Sequence, residues 1–248
     1  MIEIKTPSQL QIMREAGRVV KEVLNLLHDS VQPGVTTLEL DELARVTFSR
    51  LGSRSAFKGY RGYPAHICTS VNEEVVHGIP SHRRLRPGDI VGIDVGSIVD
   101  GYYADAAITV PVGQITAEVH SLIEVTERSL MSGIQKARAG NRLSDISNAV
   151  QTLVEAHGYS VVREFVGHGI GTQLHEPPQI PNYGTAGYGP VLKAGMVLAI
   201  EPMVNMGHPE VRLLPDDWTA VTQDNSWSAH FEHTVAVTED EPEILTKR

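Results

Sequence analysis

Apolar residues near the start of the chain recur at helical spacing: Leu10, Met13, Gly17, Val20, Leu24 and Leu27 fall on one stripe. Thr6 precedes Pro7, and Gln9 lies where a capping box needs its returning side chain, so the pattern predicts a helix starting at Pro7. A turn at Pro33-Gly34 leads to a second helix, capped by Thr36 with Glu39 three residues on. Leu40, Leu43, Ala44 and Phe48 form its apolar face, and Gly52 ends it.

The same grammar returns in the second half. A helix from about Thr116 carries Val119, Leu122, Ile123, Leu130 and Ile134 and is expected to end near Gly140. Another runs from Ser144 through Ile146, Val150 and Leu153 to Gly158. Setting Gly34 on Gly140 and Gly52 on Gly158 gives one offset, about 106 residues. Near that offset Leu85–Asp94 lies over Leu192–Glu201, each reading as a basic residue, a Gly turn and a buried strand ending in a carboxylate. Two diverged copies, about 6–110 and 114–237, explain this more simply than chance similarity of two turn-strand segments. No Ser- or Gly-rich linker separates them, so residues 1–248 are expected to form one domain with internal symmetry, bringing Asp94 near Glu201.

Composition narrows the class. Hydrophobic residues make up 41% and charged residues 21% of the 248, which excludes a disordered chain. No apolar run approaches the ~18 residues of a membrane span, and MIEIKTPSQL does not read as a secretory signal. Cys68 is the single cysteine, which excludes a disulfide scaffold and fits a reducing cytoplasm. A formal net charge of -9 argues against a nucleic-acid binder.

The chemistry concentrates in carboxylates placed where charge is costly. Asp94 lies in the continuously apolar run IVGIDV, and Asp105 lies just past the Asp100-Gly101 turn on what reads as the neighbouring hairpin strand. Glu201 closes the strand MVLAIE, and Glu232 lies in the strand-like stretch AHFEHTVAV (229–237). A single strand-end carboxylate usually caps a turn or faces solvent. Four of them, with no Lys or Arg in the same strands, call for cations, and a pair of divalent metals is the usual solution. An imidazole ligand would come from His168, whose flanking glycines in VGHGIG let backbone and metal approach closely. On strand alternation His230 shares a side with Glu232 while His233 faces away, so His230 is expected to be the one that reaches the cavity; a solvent-edge histidine is the alternative. No HExxH, GxSxG or Walker loop is present, and Cys68, following an apolar strand without an activating partner, reads as packing or pocket wall.

The segments GYRGYP (59–64), VNEEVVHGIP (71–80), IDV (93–95), GHGIG (167–171), HEPP (175–178), IEPM (200–203) and FEHT (231–234), in this order and spacing, resemble the type I methionine aminopeptidases of metallopeptidase family M24. The resemblance covers essentially the whole chain. It implies the α+β pita-bread fold, with pseudo-twofold related halves around antiparallel sheet. It places five metal ligands on Asp94, Asp105, His168, Glu201 and Glu232, holding two divalent ions: Asp94 on one, His168 and Glu201 on the other, Asp105 and Glu232 bridging. His77 and His175 match two substrate-contacting histidines, and Glu201 the proton carrier. Tyr60, Tyr63, Cys68 and Trp218 match walls of a methionine pocket. Asn72, Glu74 and Ser228 match a peripheral monovalent-cation site. Phe57 and Leu174 depart from the pattern, since relatives often carry a small residue and an aromatic there, and both flank the pocket.

The implied activity is removal of an initiator methionine when the second residue is small, by a hydroxide activated between two metals. One imidazole and four carboxylates suit Co, Mn, Fe or Zn. The implied setting is cytoplasmic, with nascent polypeptide N-termini near the ribosome as substrates, no nucleic-acid or membrane partner, and a monomeric chain. The chain begins at the catalytic helices and resembles the short bacterial form. A proline-directed peptidase of the same fold, or a metal-free binding module, are the alternatives. By the same rule the chain's own start, Met1-Ile2, is a poor substrate and is expected to keep Met1.

Overall fold

In the computed structural model, which describes residues 2–248, the two predicted capping boxes form as written. Helix α1 spans Pro7–Ser30, with Thr6 Oγ1 accepting Gln9 N–H and Gln9 Oε1 accepting Thr6 N–H. Helix α2 spans Thr37–Arg50 and is closed in the same way by Thr36 and Glu39. The expectation about Met1 lies outside the described residues.

Six strands precede or fill the centre of the chain: β1 (Arg54–Ser55), β2 (Cys68–Val71), β3 (Glu74–Val76), β4 (Ile90–Val99), β5 (Tyr102–Pro111) and, after the second helix pair, β6 (Ser160–Val161). That second pair is α3 (Ala117–Ile134) and α4 (Leu143–Ala156). Then come β7 (Gly167–Gly169), β8 (Glu176–Ile180), β9 (Val197–Ile200), β10 (Met203–Asn205), β11 (Val211–Leu213), β12 (Ala220–Thr222), β13 (Ser228–His230), β14 (His233–Ala236) and β15 (Glu243–Ile244). Paired strands within each sheet run antiparallel. One sheet has the order β1-β4-β2 with β5 on β4; another has the order β15-β14-β9-β7-β8.

The long hairpin β4–β5 sets the architecture. Ile93, Val95, Ala104, Ala106 and Ile108 share the face covered by α1 and α2, where Val19, Val20, Val23, Leu24 and Leu27 complete a buried cluster. The opposite face carries Asp94 and Asp105. Asp94 pairs with Ala107 and Asp105 with Gly96, so the two carboxylates are diagonal neighbours among small residues. Burial of the helix-facing residues thus fixes the register that aims both carboxylates inward.

Two cross-links hold this hairpin to the second sheet. Glu232 N–H donates to Ala107 O at 2.9 Å, and Ala107 N–H to Glu232 O at 3.3 Å. Thr234 Oγ1 accepts Asp105 N–H at 3.0 Å.

The elements differ from the sequence expectations in four places. Helix α3 stops at Ile134, short of Gly140, because Lys136 to Arg138 turn back through short-range hydrogen bonds and Ala139 N–H is then taken by Thr238 O; Gly140 instead takes φ +91° in the turn before α4. Helix α4 begins one residue before Ser144, with Arg142 at the cap position. Cys68 opens a strand instead of following one. The stretch 229–237 is two strands: β13 pairs with β10, the chain breaks at Phe231-Glu232, and β14 pairs with β9. Gly34, Gly52, Gly140 and Gly158 all take positive φ, as the turn roles read from the repeat require. No helix is long and apolar enough to cross a membrane among the described residues.

Candidate metal centre and active-site cleft

The carboxylates converge at the floor of a cleft of about 290 Å³. Asp94 comes from the middle of β4 and Asp105 from β5. Glu201 follows the last residue of β9, and Glu232 precedes β14 in the break between its two strands. His168 is the central residue of β7, opposite Ala199 of β9. All five line the cleft, Asp105 and Glu232 each only 3% exposed. Ligand atoms of Asp105, His168 and Glu232 lie within 4.8 Å of one another.

Glycine explains the approach of His168. A Cβ at residue 167 would lie 2.4 Å from Ala199 O, and one at residue 169 would lie 2.2 Å from Pro177 O. The flanking strands can close on His168 only because neither neighbour has a side chain.

The donor set fits a divalent cation. His168 Nδ1 lies 2.9 Å from Gly169 O; donating there leaves the Nε2 lone pair directed inward, 3.5 Å from both Asp105 Oδ2 and Glu201 Oε1. Burial holds the His168 pKa near 4, so the ring is neutral. Burial and mutual repulsion push the carboxyls of Asp94, Glu201 and Glu232 well above the ordinary carboxylate range, and burial pushes Asp105 up to about 6. Asp94 Oδ1 is buried without a hydrogen-bond partner. No Lys or Arg pairs with any of the four among the described residues. Charge is missing from the site, and it is positive charge.

The sequence profile of metallopeptidase family M24 matches residues 11–239. The chain belongs to metallopeptidase family M24. It is 54% identical over 247 residues to methionine aminopeptidase 1 of Bacillus subtilis, covering 100% of both chains. It is 53% identical over 247 residues to a methionine aminopeptidase of Clostridium acetobutylicum, covering 99% of each. The crystal structure of a Thermotoga maritima methionine aminopeptidase superposes over the full length of both chains with a TM-score of 0.99 at 48% identity. A Pyrococcus furiosus prolidase, at 22% identity and a TM-score of 0.80 over 65% of its length, shares the fold alone. The architecture is therefore the α+β pita-bread fold, and membership of this family implies use of a divalent metal.

The walls of this M24 cleft contain the expected pocket residues and both substrate histidines. Tyr60, Tyr63, Cys68, His77, His175 and Trp218 all line it. Tyr60 Oη lies 2.8 Å from His175 Nδ1, and the His175 ring lies 4.3 Å from that of His168, tilted by 48°. Burial lowers the His77 and His175 pKa values to about 4, so both are neutral donors at pH 7. Burial and the nearby Asp94 push the Cys68 thiol up, which suits a wall and not a nucleophile. His230 is buried, with Nε2 3.6 Å from Glu201 Oε2, whereas His233 Nδ1 turns to Thr246 Oγ1. His230 thus lies behind Glu201 and does not itself line the cleft, and the chain breaks between residues 230 and 233, so simple alternation does not govern this stretch.

Three positions went unseen in the sequence. Phe165 packs edge-on against His77 with ring centres 5.3 Å apart, and Arg61 lines the cleft beside Tyr60. Lys5 is buried and pairs with Glu176 at 2.7 Å, anchoring the residue after His175. Phe165 precedes VGHGIG directly, which is the one local signal available; Lys5 carries none, being a lone cation in a polar N-terminus.

Phe57 and Leu174 both line the cleft and are almost fully buried. Phe57 also packs over Gly96, where an added Cβ would lie 2.6 Å from its ring. If they share one pocket wall, Phe57→Ala should harm methionine binding more than Leu174→Phe helps it, and the two effects should not add. A double-mutant cycle on peptide kcat/KM checks this; strict additivity would place them on separate walls.

Proposed function

We infer that this chain is a methionine aminopeptidase that removes the N-terminal methionine of polypeptides with a small second residue. The observation carrying this reading is the convergence of four uncompensated carboxylates and one neutral imidazole beneath an aromatic-walled cleft. Full-length identity to chains named methionine aminopeptidase supports it. The repeat read in the sequence, as one domain of two halves, is supported by α1–α2 preceding the Asp94 strand as α3–α4 precede the Glu201 strand.

Asp94, Asp105, His168, Glu201 and Glu232 would hold two divalent ions, which supply Lewis acidity and a water acidic enough to be hydroxide near neutral pH. Four hard oxygen donors and one nitrogen are compatible with Co, Mn, Fe or Zn. With Tyr60 Oη donating to Nδ1, His175 keeps its proton on Nε2 and can donate it to the carbonyl oxygen as negative charge develops. His77, held between Phe165 and Trp218, contacts the scissile amide from the opposite wall. Glu201, ionised beside the cations it would hold, takes the proton released by the nucleophile and delivers it to the leaving amine. Tyr63, Cys68 and Trp218 with Phe57 and Leu174 enclose the methionine side chain.

Substrates in this reading are nascent chains, met near the ribosome by a monomeric enzyme in the cytoplasm. The peripheral cation site would rest on carbonyl oxygens of Asn72, Glu74 and Ser228, since the Asn72 amide is committed to Asp89 and Ile90 and the Glu74 carboxylate to Arg83 and Val71.

The deciding experiment measures methionine release from Met-Ala-Ser against hydrolysis of Ala-Pro by the metal-loaded chain. Cleavage of the proline peptide alone would favour the prolidase-like alternative, and metal uptake without either reaction a binding module. His77→Ala should lower turnover by ~10²-fold or more while sparing metal content, measured by elemental analysis beside kinetics. The purified chain should keep Met1 by intact mass, because Ile2 adds bulk in a closed site at a cost of ~10- to 200-fold in rate. An Ile2→Ala variant made in the same cells should lose one methionine.

A further inference from the structure

His230 has no role in the mechanism above, yet its imidazole is placed where a role is required. The residue is 4% exposed, and Nε2 is buried with no hydrogen-bond partner. The nearest acidic atom is Glu201 Oε2, 3.6 Å away. Glu201 Oε1 lies instead 3.5 Å from His168 Nε2. The two carboxylate oxygens are thus divided between two imidazoles, one a ligand and the other not.

The backbones on both sides are fixed. Asn182 Nδ2 donates to Glu201 O at 3.0 Å. His230 pairs with Met203 in the β10–β13 ladder, two residues after Glu201, and its N–H donates to Thr109 Oγ1 at 2.9 Å. Only the Glu201 side chain is left to be held. A long carboxylate with two equivalent oxygens can grip a cation with either or with both, and a fixed donor on one oxygen removes that choice.

We propose that His230 is a positioning residue: its Nε2–H donates to Glu201 Oε2, so that Oε1 alone faces the metal centre beside His168. This rests on the metal-centre reading above, in which Glu201 is both ligand and proton carrier. The hydrogen bond orients Glu201 for both tasks; His230 touches neither metal nor substrate.

The test compares His230→Leu, which keeps bulk and loses the donor, with His230→Gln, whose amide N–H restores a donor at similar reach. Co²⁺ is titrated calorimetrically into metal-stripped protein, and kcat and KM are measured on Met-Ala-Ser. His230→Leu is expected to bind Co²⁺ ~10- to 100-fold more weakly, with kcat down about tenfold or more and KM changed about twofold at most. His230→Gln is expected to return both to within about threefold of the unmodified chain. Unchanged Co²⁺ affinity in the leucine variant, or equal damage in both, overturns the proposal. Should the leucine variant not fold, His230→Asn replaces it: its donor is one methylene short and should fail where Gln succeeds, and an Asn variant matching Gln overturns the proposal as well. Failure of the unmodified chain to bind Co²⁺ would be a different result, overturning the metal centre itself.

Discussion

Glu232→Ala should abolish metal binding and methionine release together, with kcat/KM falling more than ~10³-fold, because several kcal/mol of charge stabilisation leave with the ion. Retained activity would sink the ligand assignment. Stability supplies a second reading with the opposite sign. In chelated protein, burial raises the carboxyl pKa values of Asp94, Glu201 and Glu232, and that of Asp105 to about 6. The folded state then binds more protons than the unfolded one, so this contribution is lost as pH rises from about 4 through 6 and beyond. Chelated protein should melt lower at pH 8 than at pH 5, and divalent metal should reverse the difference. Glu232→Gln keeps the volume and removes one of the buried charges. It should melt higher than chelated unmodified protein at pH 8 and gain little from added metal. A chelated protein equally stable at both pH values would show that the carboxylates find compensation elsewhere.

How far the sequence carried this site depended on what each signal encoded. Helix starts were legible because a capping box is a local covalent pattern, and both appear with the expected partners. The carboxylates were legible because charge inside apolar strands has few explanations other than a cation. The stretch around Glu232 reads as one strand because its break is set by long-range pairing: Glu232 bonds Ala107 of β5, and His233 then joins β9. No local pattern announces either partner. The early end of α3 has the same origin, since Ala139 N–H is taken by Thr238 O a hundred residues away. Phe165 and Lys5 were invisible for a related reason, acting only through neighbours that the fold supplies.

Gly169→Ala should do more damage than its size suggests. The new methyl would lie 2.2 Å from Pro177 O and 2.7 Å from the Pro177 carbonyl carbon, both backbone atoms that cannot rotate away. Strand β8 must therefore move from β7, at an overpacking cost of ~1–3 kcal/mol or more. For a chain of this size that lowers Tm by roughly 2–4 °C per kcal/mol. The shift falls on the carbonyl that orients His168 Nδ1, so metal binding should weaken with stability, by about tenfold or more in Co²⁺ affinity. Gly34→Ala is the matching control. It also strains the backbone, at φ +94°, but its methyl would meet nothing within 4 Å and it lies far along the chain from every ligand. It should lower Tm by the ordinary left-handed penalty of ~1–2 kcal/mol and leave Co²⁺ affinity untouched. If both variants lost stability alone, the flanking glycines would serve strand packing only, and the aim of His168 would have to come from the ring's own contacts.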